Sequence, residues 1–208
     1  MRSVHIAGWG YVSICILLIV QPAGSHDVAP AALPIREGGG GSDAVQWFRR
    51  MKPYCNSVEV VLAQQRTPAP RTAEGAGYSA ACFALAGRTD DARRVIDGLP
   101  AGQRYAAAGI VFDAGHPVAD AGDDLAAGPI MELVVDYWPN HYMALYHAGM
   151  AEYMLGQFEL SKRNLTDFLS IYHENDGWRA NATDVLQRLN DPAGIDRSRI
   201  RRPREPGR

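Results

Sequence analysis

The chain has 208 residues, 47% of them apolar and 21% charged, with a formal net charge of -2. Such a balance belongs to a globular protein rather than a disordered or fibrous one, and the slight acidity argues against nucleic acid as the main partner. Alternating apolar runs with turn punctuation are scarce, whereas alanine, leucine, arginine and glutamate fill the periodic segments, so the expected fold class is all-α.

The first residues read as a targeting segment. Arg2 supplies a weak positive start, Tyr11 to Val20 is a short apolar run, Gln21-Pro22 breaks it, and Ala23-Gly24-Ser25 offers small residues for cleavage. Residues 1–25 are therefore expected to be a signal peptide, and the run is short for a membrane span. Cys15 lacks the small residues that would precede it at a lipoprotein cleavage site. The mature chain is expected to be exported to the periplasm or cell envelope, with no membrane span left. Residues 26–42, with Pro30, Pro34 and the Gly38-Gly39-Gly40-Gly41-Ser42 run, carry too little apolar bulk for a core and read as a flexible linker.

Residues 43–190 suffice for one domain. Asp43 is placed to cap a helix running to Met51, which Pro53 stops. A second helix is expected over Cys55–Gln65, followed by the Thr67-Pro68-Ala69-Pro70 loop. A third, rich in small residues, spans Ala73–Ala86 and ends at Gly87; Asp90 caps a fourth, which Pro100 closes. Tyr105–Ala114 reads as helix, His116–Asp123 as a long loop and Leu125–Trp138 as helix. Asn140 follows Pro139 and is placed to cap a helix over Tyr142–Leu155 that Gly156 ends. Phe158, Ser161, Leu165, Phe168, Leu169 and Tyr172 then form one stripe of a further helix, and a short turn between two such helices makes them neighbours. Asp176 caps a last helix over Trp178–Leu189. Residues 191–208 hold Arg197, Arg199, Arg201, Arg202, Arg204 and Arg208 without interleaved aromatics, the composition of a solvated tail.

A repeat links these elements. GYSAACFALAGRTDDARRVI parallels YHAGMAEYMLGQFELSKRNL, with Ala80 on Gly149, Gly87 on Gly156, Ala92 on Ser161 and Ile96 on Leu165. The offset, 156 − 87 = 69, is close to two units of about 34 residues. The chain thus resembles a tetratricopeptide repeat protein over Ala73 to Glu174, with a stretched middle unit and Leu145 where the family carries a large aromatic. The resemblance implies a short α-solenoid of antiparallel hairpins ending in a capping helix. It also implies a concave surface built from first helices, on which a protein or peptide partner would meet Met143, Tyr146, Met150, Tyr153 and Met154. The family's basic and asparagine clamp for terminal carboxylates is missing, since Gly77 and Ala81 occupy the corresponding places.

Few residues suggest chemistry. Cys55 and Cys82 remain after signal removal, and a hairpin centred near residue 69 sets position 55 opposite position 83, so a disulfide is expected. Its stabilisation would be about 3 kcal/mol. The segment from Asp113 to Asp124 concentrates potential ligands, His116 and Asp120 among them, and makes metal binding or a metal-dependent reaction the alternative function. Its spacing matches no metal motif, and Asp123 or Asp124 serves equally as a helix cap. His141, His147 and His173 are read as structural or solvent-facing. No catalytic triad order, phosphate loop, HExxH or CxxC pattern is present, so neither catalysis nor a cofactor is expected. Asn164-Leu-Thr166 and Asn181-Ala-Thr183 match glycosylation acceptors but fall inside expected helices.

Overall fold

The computed structural model describes residues 41–191. The expected signal peptide, nearly all of the linker and the basic tail lie outside these residues. Among the described residues the secondary structure is helical throughout, with no strand. The helices are α1 (Gly41–Met51), α2 (Val60–Arg66), α3 (Ala73–Leu85), α4 (Thr89–Asp97), α5 (Ala101–Asp120), α6 (Asp124–Tyr137), α7 (Tyr142–Leu155), α8 (Phe158–Ile171) and α9 (Gly177–Asn190), with a 3-10 turn at Lys52–Tyr54. None is long and apolar enough to cross a membrane.

Most ends follow from local chemistry. Thr72 Oγ1 accepts the Gly75 N–H at 3.0 Å, and Asp123 Oδ1 accepts that of Ala126 at 3.3 Å. Asp176 Oδ1 takes the N–H groups of Trp178 and Arg179 at 3.0 and 3.1 Å. Each satisfies donors that a helix start leaves orphaned. Gly87 and Gly156 end their helices with φ of 72° and 77°, a left-handed turn that glycine adopts without steric cost.

Several expected boundaries are corrected. The linker gives way to helix already at Gly41, and Asp43 lies inside the first turn of α1. The helix expected from Cys55 starts only at Val60, because Asn56 Oδ1 accepts the N–H groups of Val58 and Glu59 and holds a turn there. Asp90 lies in the first turn of α4, whose N-cap is Arg88. At α7 the cap is His141, whose Nδ1 accepts the Ala144 N–H at 3.2 Å, and not Asn140. The largest correction concerns the loop expected over His116–Asp123. Helix α5 runs through Pro117 to Asp120, and only Ala121–Asp123 connect it to α6. Proline removes one ladder hydrogen bond. Packing outweighs that loss: Gly115 is buried so closely on α6 that a Cβ there would lie 2.5 Å from Ile130 Cγ2.

The helices pack in succession. Helix α3 lies against α1, α4 and α5, then α5 against α6, α6 against α7 and α7 against α8, while α9 rests on α8 and α7. The central core gathers Ala80, Ile96, Val111, Met131, Leu133, Val134 and Ala148. A second group surrounds Trp47, Met51, Val60 and the Cys55–Cys82 disulfide, whose Cα atoms are 4.8 Å apart across 27 residues of chain. A third joins Leu145, Tyr146, Leu165, Phe168, Ala182 and Val185.

Candidate functional site

Among the described residues, a cleft and a cluster of rings each bring chemically distinct side chains together. The first is a cleft of about 200 Å³ between α1, α3 and α5. Its apolar lining is Val45, Phe48, Tyr78, Ile110, Ala114 and Pro117, with Arg49 and Lys52 contributed by the α1 end and Asp113 by α5. Phe48 and Tyr78 stack with ring centroids 4.9 Å apart, a contact that fixes both rings. Gly77 permits the approach of α3 to α5, since a Cβ there would lie 2.7 Å from Ile110 Cδ1. Burial pushes the Asp113 carboxyl above its ordinary value, and His116 partly opposes the shift.

The second place is a seam of rings between α5, α7 and α9. Phe112 stacks on His116 at 4.8 Å and touches His141 at 4.1 Å. His116 meets His147 edge to face at 5.1 Å, and His147 meets Trp178 at 5.7 Å. Because α5 is helical here, His116 and Asp120 are four residues apart on one face. Asp120 Oδ1 is 3.4 Å from His116 Nε2 and 3.9 Å from His147 Nε2. Both Nε2 atoms are shielded from water, and neither has a hydrogen-bond partner. Burial first, then the neighbouring His116, lowers the His147 pKa to about 4, so that its imidazole is neutral at ordinary pH. Burial likewise lowers His141 to about 4, but its Nδ1 is occupied by the helix cap. Of the acidic residues in the expected ligand segment, Asp120 alone joins these histidines; Asp123 is used as a cap.

Four of the five residues expected to meet a partner are distributed between two packing groups. Met143 lies half-buried against the central core. Tyr146 is 8% exposed and stacked 5.1 Å from Trp178 of α9, with its hydroxyl accepting from Asn181 Nδ2 at 3.2 Å. Met150 and Tyr153 are half-buried in the C-terminal group, and Met154 is half-buried nearby on α7. The expected terminal helix therefore covers part of the surface assigned to a partner. His147 is the residue that sequence reading passed over. Its proximity to His116 spans two helices and leaves no spacing pattern in the chain.

One buried polar pair lies apart from both places. Glu152 of α7 is 0% exposed, and its Oε1 accepts from Asn164 Nδ2 of α8 at 2.7 Å. Burial, with the Glu132 carboxylate acting from α6, raises its pKa to about 8. Asn164 is thus committed inside the fold and closed to glycosylation.

No known protein family, curated protein or solved structure matches the chain.

Proposed function

We propose that the protein is an exported helical-repeat binding module that holds an extended segment of another protein along its first helices, without catalysis. In this reading the helices pair as antiparallel hairpins of a short tetratricopeptide-like solenoid capped by α9. The contacts of α7 with α8 support it: Tyr142 meets Tyr172, Tyr146 meets Phe168, Gly149 lies on Leu165 and Glu152 bonds Asn164, so one partner number rises as the other falls. Stacked hairpins present a concave surface suited to an extended ligand. The Cys55–Cys82 bond suits an oxidising compartment and hence export.

The observation that carries the reading is the cleft between α1, α3 and α5. Apolar side chains line it together with two cationic groups, Arg49 and Lys52, and the Asp113 carboxyl. An extended peptide with an apolar anchor between an acidic and a basic residue is complementary to it. Relative to the sequence expectation, the contact surface moves from the last hairpin toward the first.

Peptide display on the purified protein, followed by fluorescence anisotropy of the selected peptide, tests this. Tyr78→Ala and Lys52→Glu should each weaken binding by about tenfold, near 1.4 kcal/mol. Binding untouched by both but lost in Met150→Ala/Tyr153→Ala would return the site to the last hairpin. Failure to select any peptide would overturn the binding reading. Export is tested separately by N-terminal sequencing of the native protein, which should begin at His26.

A further inference from the structure

We propose that His116, Asp120 and His147 form a binding site for a divalent transition-metal cation, zinc foremost. One ring nitrogen from each histidine and a carboxylate oxygen of Asp120 all lie within 4.8 Å of one another. Zinc bound to nitrogen and oxygen at about 2.0–2.2 Å in a tetrahedron sets its ligand atoms on the order of 3.3–3.5 Å apart. The His116–Asp120 separation of 3.4 Å already meets that spacing, and the His147–Asp120 separation of 3.9 Å nearly does.

Two further observations point to a ligand at this spot. Both Nε2 atoms are buried without any hydrogen-bond partner, an arrangement that proteins avoid because an unsatisfied buried polar atom costs about 1–3 kcal/mol. A cation shared between them would satisfy both at once. The rings are also held in place, His116 by Phe112 and His147 by Trp178, which limits the conformational entropy lost on binding. Two imidazoles with one carboxylate select a borderline transition cation over calcium or magnesium, which favour oxygen ligands. With 58% of its side chain exposed, Asp120 opens the fourth coordination position toward solvent, where water can complete the tetrahedron.

The inference does not depend on peptide binding, and its test is independent of it. The purified full chain, stripped with chelator, is titrated with Co²⁺ alone and with Zn²⁺ alone. The expected result is one ion per chain, a visible absorption band of tetrahedral cobalt, and a rise in melting temperature with zinc. His116→Gln, His147→Gln and Asp120→Asn should each lose the band and weaken zinc by at least about tenfold. His173→Ala, which changes an exposed histidine outside the cluster, should retain both. Asp120→Asn alters an exposed side chain, so it remains informative if a histidine variant fails to fold. No stoichiometric binding by the parent protein, or equal binding by Asp120→Asn and the parent, overturns the site.

Discussion

Around α1–α3 a covalent bond joins a small apolar group centred on Trp47 and Met51; around α7–α9 the fold is held by a larger set of ring contacts and buried hydrogen bonds. Beyond Trp47 and Met51 the first region has few large side chains fully buried. Helix α3 is mostly alanine, glycine and serine, and α2 is only 7 residues long, with Val58 just before it 87% exposed and Leu62 49% exposed. A disulfide compensates there, because closing a loop restricts the unfolded chain whatever the size of the core. The second region has no such bond. Phe168, Tyr172, Tyr146, Trp178 and Tyr142 lie in mutual ring contact, and large aromatics bury enough area to hold a terminal helix. A short chain can thus stabilise a helix pair either by limiting what the unfolded state explores or by enlarging what the folded state buries.

The comparison can be broken at either end. Phe168 is fully buried at the centre of the ring cluster, so Phe168→Ala should cost about 3–5 kcal/mol. Hydrogen exchange read by mass spectrometry should then show protection lost in α7–α9 and retained in α1–α3; uniform loss would mean that the two ends unfold as one unit. Cys55→Ser/Cys82→Ser should cost about 3 kcal/mol, with the pattern of exchange reversed. Titration of the unreduced parent under denaturing conditions should find neither thiol free.

A pH series sharpens the C-terminal half. The folded protein binds the Glu152 proton more tightly than the unfolded chain, since its pKa is raised from 4.5 to about 8. The stability from this group is fully present below pH 4.5 and is lost as the pH rises through about 8. Glu152→Gln should remove that fall, measured as the denaturant midpoint against pH. The smallest effect is expected at Asp176, whose carboxylate caps α9 by two hydrogen bonds. Asp176→Ala should cost about 1 kcal/mol and accelerate exchange in α9 alone.

What could be read from the sequence tracks the range of the interaction responsible. Gly87, Gly156 and Asp176 mark helix ends by chemistry contained within a few residues, and each lies where its residue type predicts. Cys55 and Cys82 were legible as the two cysteines outside the targeting segment, although Cys55 precedes α2 and does not lie in a helix paired with α3. The loop expected over His116–Asp123 was not legible as helix, since α5 continues through Pro117 with Gly115 packed on Ile130 of the next helix. The start of α2 was set by the Asn56 side chain competing with the helix for backbone donors. His147 was the least legible of all, because only the placement of α7 beside α5 gives it His116 and Asp120 as neighbours.

The contact of α7 with α8 also defines what a distant relative of this chain would have to keep. Gly149 leaves so little room that a Cβ would lie 2.6 Å from Leu165 Cγ, and its carbonyl accepts from Ser161 Oγ at 2.7 Å. Three residues later on α7, Glu152 accepts from Asn164. Any larger residue at 149 forces the helices apart and breaks both hydrogen bonds together, whereas Tyr146 or Met150 can be replaced by other bulky apolar groups with local repacking. The spaced signature Gly-x-x-Glu followed by Ser-x-x-Asn-Leu is therefore a sharper probe for kin than the aromatic residues, which dominate the energetics but tolerate exchange.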